Sequence, residues 1–164
     1  MKESLRDFLV KNLDFLPPEL VVMVISAMPI LELRGGLPLA YLYYEFDLVY
    51  SAVISVIGNI LPVIPLLLLF RPISSLLMRF QWYKKMYDWL YNRTMNKSGN
   101  VQKYGALGLI LFTAVPLPTT GAWSACVAAS IFAIPFRYAF LSISIGIIVA
   151  AILVSLGLLS ISIF

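Results

Sequence analysis

Glu32 and Arg34 are the residues of this chain whose types and positions could do chemistry. They are the only charged residues between Glu19 and Glu45, and the segment around them is otherwise largely apolar. A charge at the depth of a bilayer is expensive, so ionisable residues there usually face a cavity or a partner. An acid and a base two positions apart, next to the glycine pair at 35–36, therefore predict a polar site in apolar surroundings.

The chemistry that this pair favours is the binding of an anion, phosphate above all. Arg34 offers planar donors for a bidentate contact, and Gly35 and Gly36 let backbone amides approach a ligand. Glu32 has two candidate roles. It neutralises Arg34 when the site is empty, or it takes up a proton and couples transport to protons. In a third, structural interpretation the pair only staples its hairpin.

Residues 32–36 form a first break in the apolar pattern, and a second break follows at 116–121. The candidate site residues in and beside this break are Pro116, Pro118, Thr119, Thr120, Gly121 and Trp123. A threonine is a good N-cap for a returning helix, which is also its simplest structural role here. Two helix N-termini that meet Arg34 would attract an anion. Asn59, inside a long apolar segment, is a further candidate, either for lining the cavity or for joining helices.

Composition places the chain among integral membrane proteins. Of its 164 residues, 61% are hydrophobic, against roughly 45–50% in soluble domains, and the mean hydropathy is +0.93. Its length fits a single membrane domain over 1–164. The absence of histidine and the single cysteine, Cys126, argue against a metal site. No catalytic Ser–His–Asp set and no nucleotide-binding glycine loop is present, so neither an enzyme nor a cofactor is expected.

The chain divides into four parts. An amphipathic helix is expected at 1–16, with leucines and a phenylalanine at helical spacing. The first membrane repeat is expected at 20–70. A basic, aromatic-rich amphipathic loop or helix follows at 71–103, and the second repeat occupies 104–164.

Each repeat pairs two short apolar segments with one long segment. Segments 20–31 and 37–44 are too short to cross a hydrocarbon core of about 30 Å at 1.5 Å per residue. They predict a re-entrant hairpin, with Pro38 as the first residue of the returning helix. Segments 48–70 and 136–164 are long enough to cross.

A shift of 88 residues lays the first repeat on the second and places Gly58 on Gly146. Pro62 and Pro65 predict a kink in the first long segment. Counting crossings makes the two halves inverted, as in many transporters. The expected fold is an all-α integral membrane protein of two inverted repeats. Each repeat is a re-entrant helical hairpin plus a spanning helix, and amphipathic surface helices accompany them.

Charge bias predicts the orientation. Eight basic residues fall on the side of the polar segment: Arg71, Arg79, Lys84, Lys85, Arg93, Lys97, Lys103 and Arg137. Three fall on the opposite side: Lys2, Arg6 and Lys11. By the positive-inside rule the first side is cytoplasmic and both termini face outside. Membrane topology therefore explains the basic residues, and no nucleic-acid partner is expected. The expected location is the cell (cytoplasmic or inner) membrane.

The run Glu32-Leu-Arg-Gly-Gly-Leu-Pro38, followed by Pro116-Leu-Pro-Thr-Thr-Gly-Ala-Trp123, resembles the small multidrug export family and, more distantly, the DedA superfamily. The resemblance covers about 20–150. It implies two inverted re-entrant hairpins and, for DedA relatives, movement of lipid phosphates such as undecaprenyl phosphate. Glu32 matches the acidic residue expected in the first hairpin. DedA proteins carry arginine at the second turn, where this chain has Thr119 and Thr120.

Together these features predict a DedA-like transporter or translocase. It would move a small amphiphilic or lipid-phosphate-like substrate, with proton coupling through Glu32. The expected partners are membrane lipids, the substrate and further copies of the chain. The alternative is a non-transporting membrane scaffold or organiser in which Glu32 and Arg34 are structural; a third hypothesis is a channel.

Overall fold

The computed structural model describes residues 16–69, 79–81, 84–85, 100–115, 121–132 and 134–163. Within these residues the chain forms helices and no strand. We number the following α-helices in chain order: α1 Pro18–Ala27, α2 Glu32–Pro38, α3 Leu48–Ile60, α4 Asn100–Ala114, α5 Ala122–Ile131 and α6 Phe136–Ile163. The predicted surface helix at 1–16, apart from its last residue, and most of the basic segment lie outside the described residues.

Helices α1 and α2 form an antiparallel hairpin. The chain leaves α1 at Met28, which is extended (φ −71°, ψ 141°) because the residue before a proline disfavours the helical region. Leu39 then packs against Val21 and Ile25 on α1. These contacts place the end of the returning helix beside the start of α1.

The returning helix begins earlier than the sequence predicts. It starts at Glu32, so the prediction that Pro38 is its first residue is wrong. Pro38 is instead the last α-helical residue, and the chain continues as a π-helix at Leu39–Tyr43. A proline inside a helix removes one backbone donor, and a wider turn is a common way to accommodate it.

Two helical stretches are long and apolar enough to cross a membrane: Leu48–Leu69 and Phe136–Ser160. Asp47 caps the first of them, since its side chain accepts a hydrogen bond from the backbone N–H of Val49 at 2.9 Å. The regular helix is interrupted at 61–62, where Pro62 lacks a backbone donor. The predicted long segments and the interruption of the first are therefore confirmed.

Helices α4 and α5 form the corresponding pair in the second half. A Cβ on Gly105, near the start of α4, would lie 3.4 Å from Ile134, just after α5. Further along α4, Leu109 and Phe112 line a cleft of about 350 Å³ together with Ala128 of α5. The two helices therefore run in opposite directions.

In each half, a glycine of the long helix packs against the backbone of the first short helix. A Cβ built on Gly58 would lie 2.6 Å from the backbone oxygen of Met23 in α1. A Cβ on Gly146 would lie 2.9 Å from the backbone oxygen of Ile110 in α4. The shift of 88 residues that relates the two glycines also relates the starts of α3 and α6.

The main core joins the two halves. Leu33 and Leu37 of α2 share one buried cluster with Val63, beyond α3, and with Ile143 and Ile147 of α6. Most of α3 and mainly the second half of α6 line an apolar cleft of about 420 Å³, whereas Val63, beyond α3, shares its cluster with Ile143 in the first half of α6. The two long helices therefore run antiparallel, and α2 reaches the second half of the chain.

Candidate functional site

The Glu32 carboxylate lies at the N-terminus of α5, in the other half of the chain. Glu32 is only 8% exposed. The backbone N–H of Trp123 donates to its Oε1 at 3.5 Å, and the backbone amide of Ala122 also interacts with the carboxylate. The first turn of a helix carries unpaired N–H groups and a partial positive charge. Glu32 therefore supplies a negative charge to the positive end of α5.

Gly121 leaves the space that the carboxylate occupies. A Cβ built on Gly121 would overlap the carboxylate atoms of Glu32. Gly121 is also the N-cap residue of α5, so the prediction that Thr119 or Thr120 caps this helix is wrong. Pro116, Pro118, Thr119 and Thr120 lie outside the described residues. The acceptor at the start of α5 is thus a side chain from the first break.

Arg34 binds the other end of the second break. Its Nη2 donates to the backbone oxygen of Val115 at 3.2 Å, directly after the last residue of α4. The C-terminal end of a helix carries a partial negative charge, so a cation is favoured there. Glu32 of α2 therefore contacts the start of α5, the helix that follows residues 116–120. Arg34 of α2 contacts the end of α4, the helix that precedes them.

The Trp123 side chain joins α5 to the end of α1. Its indole N–H donates to the backbone oxygen of Ala27, the last residue of α1, at 3.0 Å. Hydrogen bonds between side chains and backbone therefore join the two halves, among them those of Glu32 with Trp123, Arg34 with Val115 and Trp123 with Ala27. The structure brings Glu32, Arg34, Gly121 and Trp123 together where the two breaks meet, and their role in binding a substrate stays a prediction.

Gly35 and Gly36 lie within helix α2 in this structure. The Gly35 amide donates to the Leu31 oxygen at 2.9 Å, as in a regular helix. A Cβ on Gly36 would overlap the Ser26 hydroxyl of α1 and lie 3.1 Å from the Val22 oxygen. Gly36 thus allows α1 and α2 to approach closely.

The Glu32 backbone adopts an uncommon conformation. Its φ is +49°, in the left-handed region that side-chain-bearing residues rarely adopt, which costs on the order of 1–3 kcal/mol at such positions. The Glu32 N–H donates to the Met28 oxygen at 3.0 Å, which holds the turn. This conformation lets the chain reverse direction within four residues while the Glu32 carboxylate contacts the N-terminus of α5.

Ser26 of α1 and Ser55 of α3 are buried polar residues that the sequence pattern did not lead us to expect. Asn59 was expected to face a cavity or another helix; it is buried, but its Oδ1 has no hydrogen-bond partner within the described residues. Ser26 and Ser55 have hydroxyls in the same situation. The four-residue spacing of Ser51, Ser55 and Asn59 is the signal that could have indicated a polar face on α3.

The described part of the chain contains no group of three or more His, Cys, Asp or Glu residues that could hold a metal ion. Cys126 is buried within α5. What the arrangement can do chemically follows from its charges. A carboxylate and a guanidinium each sit on a helix end of opposite sign, and an incoming ion can compete with either contact.

Comparison with known proteins identifies the family. Residues 32–153 match the sequence model of the family described as "Putative small multi-drug export protein". No curated protein and no solved structure matches the chain. The match begins at Glu32, includes both breaks and ends within α6. The resemblance to this family is confirmed, and the chain belongs to the small multidrug export family.

Proposed function

We propose that this protein is a secondary transporter that exports an amphiphilic, lipid-phosphate-like molecule, and that the charged group of the substrate binds where the two breaks meet. The observation that carries the proposal is the buried Glu32 carboxylate at the N-terminus of α5. A helix N-terminus is a ready-made anion site. Here an internal carboxylate occupies it, so a substrate anion can take its place.

The proposed architecture is a pair of inverted repeats, each with a re-entrant hairpin. Three observations support it. The hairpins are built from short helices, the starts of α3 and α6 differ by the same 88 residues as Gly58 and Gly146, and the two long helices run antiparallel. In transporters of this kind the substrate lies near the bilayer midplane, between broken helices.

Glu32 links proton uptake to anion binding in this proposal. The ionised carboxylate is attracted to the positive end of α5 and excludes another anion from it. A protonated Glu32 loses that attraction, and the substrate anion can then contact the amides of Ala122 and Trp123. Protonation of Glu32 therefore favours binding of an anion and disfavours binding of a cation.

The contacts that would have to change are weak enough to exchange. The Trp123 amide lies 3.5 Å from Oε1 of Glu32, at the long end of hydrogen-bond distances, and Arg34 donates to the Val115 oxygen at 3.2 Å. The positive φ of Glu32 adds strain that movement of this residue would release. These features favour a switching role for the pair.

We expect the affinity for an anionic amphiphile to rise as pH falls through the titration range of Glu32. Binding of farnesyl phosphate and of a long-chain alkyl sulfonate to the purified protein would be measured across a pH series. The sulfonate keeps one negative charge throughout, whereas the phosphate has a second pKa of about 6 and therefore titrates itself. A charge-assisted contact of about 1.5–3 kcal/mol corresponds to roughly a tenfold change in affinity or more.

The Glu32→Gln variant is the control for this pH series. It removes the titrating charge and keeps the side-chain shape, so sulfonate binding should become independent of pH. A cationic amphiphile measured in parallel should bind more weakly as pH falls, if it binds at all. Tighter binding of the cation than of both anions at every pH would contradict the proposed substrate class.

A membrane scaffold is the second candidate function, because the hydrogen bonds of Glu32, Arg34 and Trp123 also join the two halves of the chain. In that role Glu32 and Arg34 would hold the repeats together without moving during any cycle. Their substitutions would then affect folding alone.

We further propose that the protein lies in the cell membrane with the basic segment inside. Lys97 belongs to that segment and lies outside the described residues. On a Cys126→Ala background, a membrane-impermeant maleimide applied to intact cells should label Ser4→Cys and should not label Lys97→Cys until the cells are permeabilised. The reverse pattern would contradict this orientation.

A further inference from the structure

A cleft of about 350 Å³ lies between α4 and α5, the helices on either side of the second break. Its walls include Leu109 and Phe112 of α4 and Phe132, directly after α5. This volume lies within the range of small-molecule sites, about 300–1,000 Å³. The side chains in its walls carry no charge and no hydrogen-bonding group. The cleft therefore suits an apolar ligand, or the apolar part of a larger one.

Gly108 leaves the α4 wall of the cleft open. A Cβ built on it would meet no atom within 4 Å in the part of the chain that the structure describes, whereas a Cβ on Gly58 or Gly146 would overlap a neighbouring helix. Glycine disfavours a helix relative to other residues, and Gly108 does not offset this cost by close packing. The 88-residue shift places Leu20 at this position in the first half. The missing side chain at 108 adds space to the cleft.

The cleft begins one helical turn from the charged site. Phe112 in its wall precedes Val115 by three residues, and residues at this spacing are neighbours on a helix surface. The Val115 oxygen accepts the hydrogen bond of Arg34. Along α4 the cleft extends to Gly105, which is about 15 Å from Val115 at 1.5 Å per residue. The cleft therefore leads away from the charged site along the second hairpin.

The inner wall of the cleft belongs to the core beneath the charged site. Leu109 is part of the main buried cluster, and Ala128 packs against this cluster. The same cluster contains Leu33, which lies between the two charged residues, and Ala122, whose amide interacts with Glu32. The cleft and the charged site are thus two faces of one packed region. A charged group at the site and a chain in the cleft can belong to a single molecule.

We propose that the cleft between α4 and α5 binds the hydrocarbon chain of an anionic amphiphile whose charged group lies at Glu32 and Arg34. The inference rests on the proposed function for the charged group and adds a separate site for the chain. Lipid tails are as apolar as the walls of the cleft, so burial from water alone does not select the cleft. A bound charged group holds the chain beside the cleft at a high effective concentration. This continuity favours a chain over a second copy of the protein.

The test uses dodecyl sulfonate with a photoreactive diazirine at the end of its chain. The full-length protein in lipid nanodiscs is illuminated with this probe at low pH, where the anion is expected to bind, and mass spectrometry identifies the labelled residues. Gly108→Leu fills part of the cleft. Gly157→Leu is the matched control, because Gly157 lies in α6, does not line the cleft, and has equally open space around its Cβ position.

We expect the probe to label α4 and the end of α5. Labelling should fall by about tenfold or more in Gly108→Leu, because one misplaced methylene group in an apolar pocket changes affinity by about tenfold or more. Gly157→Leu should leave the labelling unchanged. Butyl sulfonate, whose chain is too short to reach Gly108 from Val115, should bind to both variants equally and reports on the charged site alone. Thermal unfolding of each preparation establishes that folded protein is compared.

Equal labelling of the cleft in Gly108→Leu and Gly157→Leu would overturn the inference. If Gly108→Leu does not fold, Gly108→Ala, compared with Gly157→Ala, decides the question in the same way. An unlabelled cleft, together with an oligomer that Gly108→Leu dissociates, would assign the cleft to a second copy and also overturn the inference.

The variant Arg34→Ala separates this inference from the proposed function. If it loses butyl sulfonate binding while the cleft of the unsubstituted protein is never labelled, the charged site stands and the chain site is wrong. If labelling falls in Gly108→Leu but not in Arg34→Ala, the chain site stands and the proposed place of the charged group is wrong.

Discussion

Replacing Gly58 by alanine is expected to lower the free energy of unfolding by about 1–3 kcal/mol, the usual range for overpacking in a close-packed interior. The new Cβ would lie 2.6 Å from the Met23 oxygen and 2.7 Å from the Met23 Cα. Both are backbone atoms, so no side-chain rotation can relieve the overlap. Helices α1 and α3 would have to separate, and the hairpin would shift relative to the long helix.

Gly157 supplies the matched control for this prediction. It lies in α6, and a Cβ built there would meet no atom within 4 Å. Gly157→Ala should be neutral or stabilising by up to about 1 kcal/mol, because alanine restricts the unfolded chain and favours the helix. Gly146→Ala should behave like Gly58→Ala, since its Cβ would lie 2.9 Å from the Ile110 oxygen.

Thermal and denaturant unfolding of the three variants in one detergent would measure these effects. The comparison is informative because each substitution adds the same methyl group to an apolar helix. If Gly58→Ala were as stable as Gly157→Ala, the close approach of α1 and α3 would be wrong. The basis for relating Gly58 to Gly146 across the two halves would then be lost as well.

The long helices could be predicted because their signal is local and strong. An uninterrupted apolar stretch of sufficient length specifies a spanning helix almost regardless of its partners, and the stretches at 48–70 and 136–164 correspond to helices in the structure. The end of α1 was not predicted: the first short segment was expected to run to Leu31, whereas the helix ends at Ala27, because Pro29 restricts the residue before it. In these cases the sequence itself carries the physical constraint.

The start of α2 could not be predicted from such local signals. Gly35 and Gly36 each disfavour a helix by about 1 kcal/mol relative to alanine, so an unwound segment was the natural expectation. In the structure, close packing of Gly36 against Ser26 and Val22 accompanies the helical conformation. That gain depends on the neighbouring helix, and tertiary contacts routinely override weak intrinsic propensities.

The partners of the charged pair were also hidden from the sequence. Glu32 and Arg34 were recognisable as a site because charges are rare in apolar segments. Their partners include backbone groups of Trp123 and Val115. A backbone amide or carbonyl is present at every such position whatever the side chain, so no residue type marks it. Only the fold determines which helix ends the two charges meet.

Arg34→Ala and Glu32→Gln are expected to differ in kind. Arg34→Ala should weaken binding of the alkyl sulfonate by roughly tenfold or more, because it removes a charge-assisted contact of about 1.5–3 kcal/mol. Glu32→Gln retains an oxygen that can accept from the Trp123 amide and removes the competing charge at the N-terminus of α5. Anion binding should therefore survive or tighten in Glu32→Gln, while its pH dependence is lost.

The scaffold hypothesis predicts a different result for the same two variants. In that role each charge holds a helix end of the other half in place, so both variants would lose folded protein together. Arg137→Ala and Glu45→Gln change exposed charges outside the second break and serve as controls. Thermal stability and sulfonate affinity, measured on the same preparations, separate the two hypotheses. Equal destabilisation, with unchanged affinity in the protein that remains folded, would exclude Glu32 and Arg34 from a substrate site and leave them the role of joining the two halves of the chain.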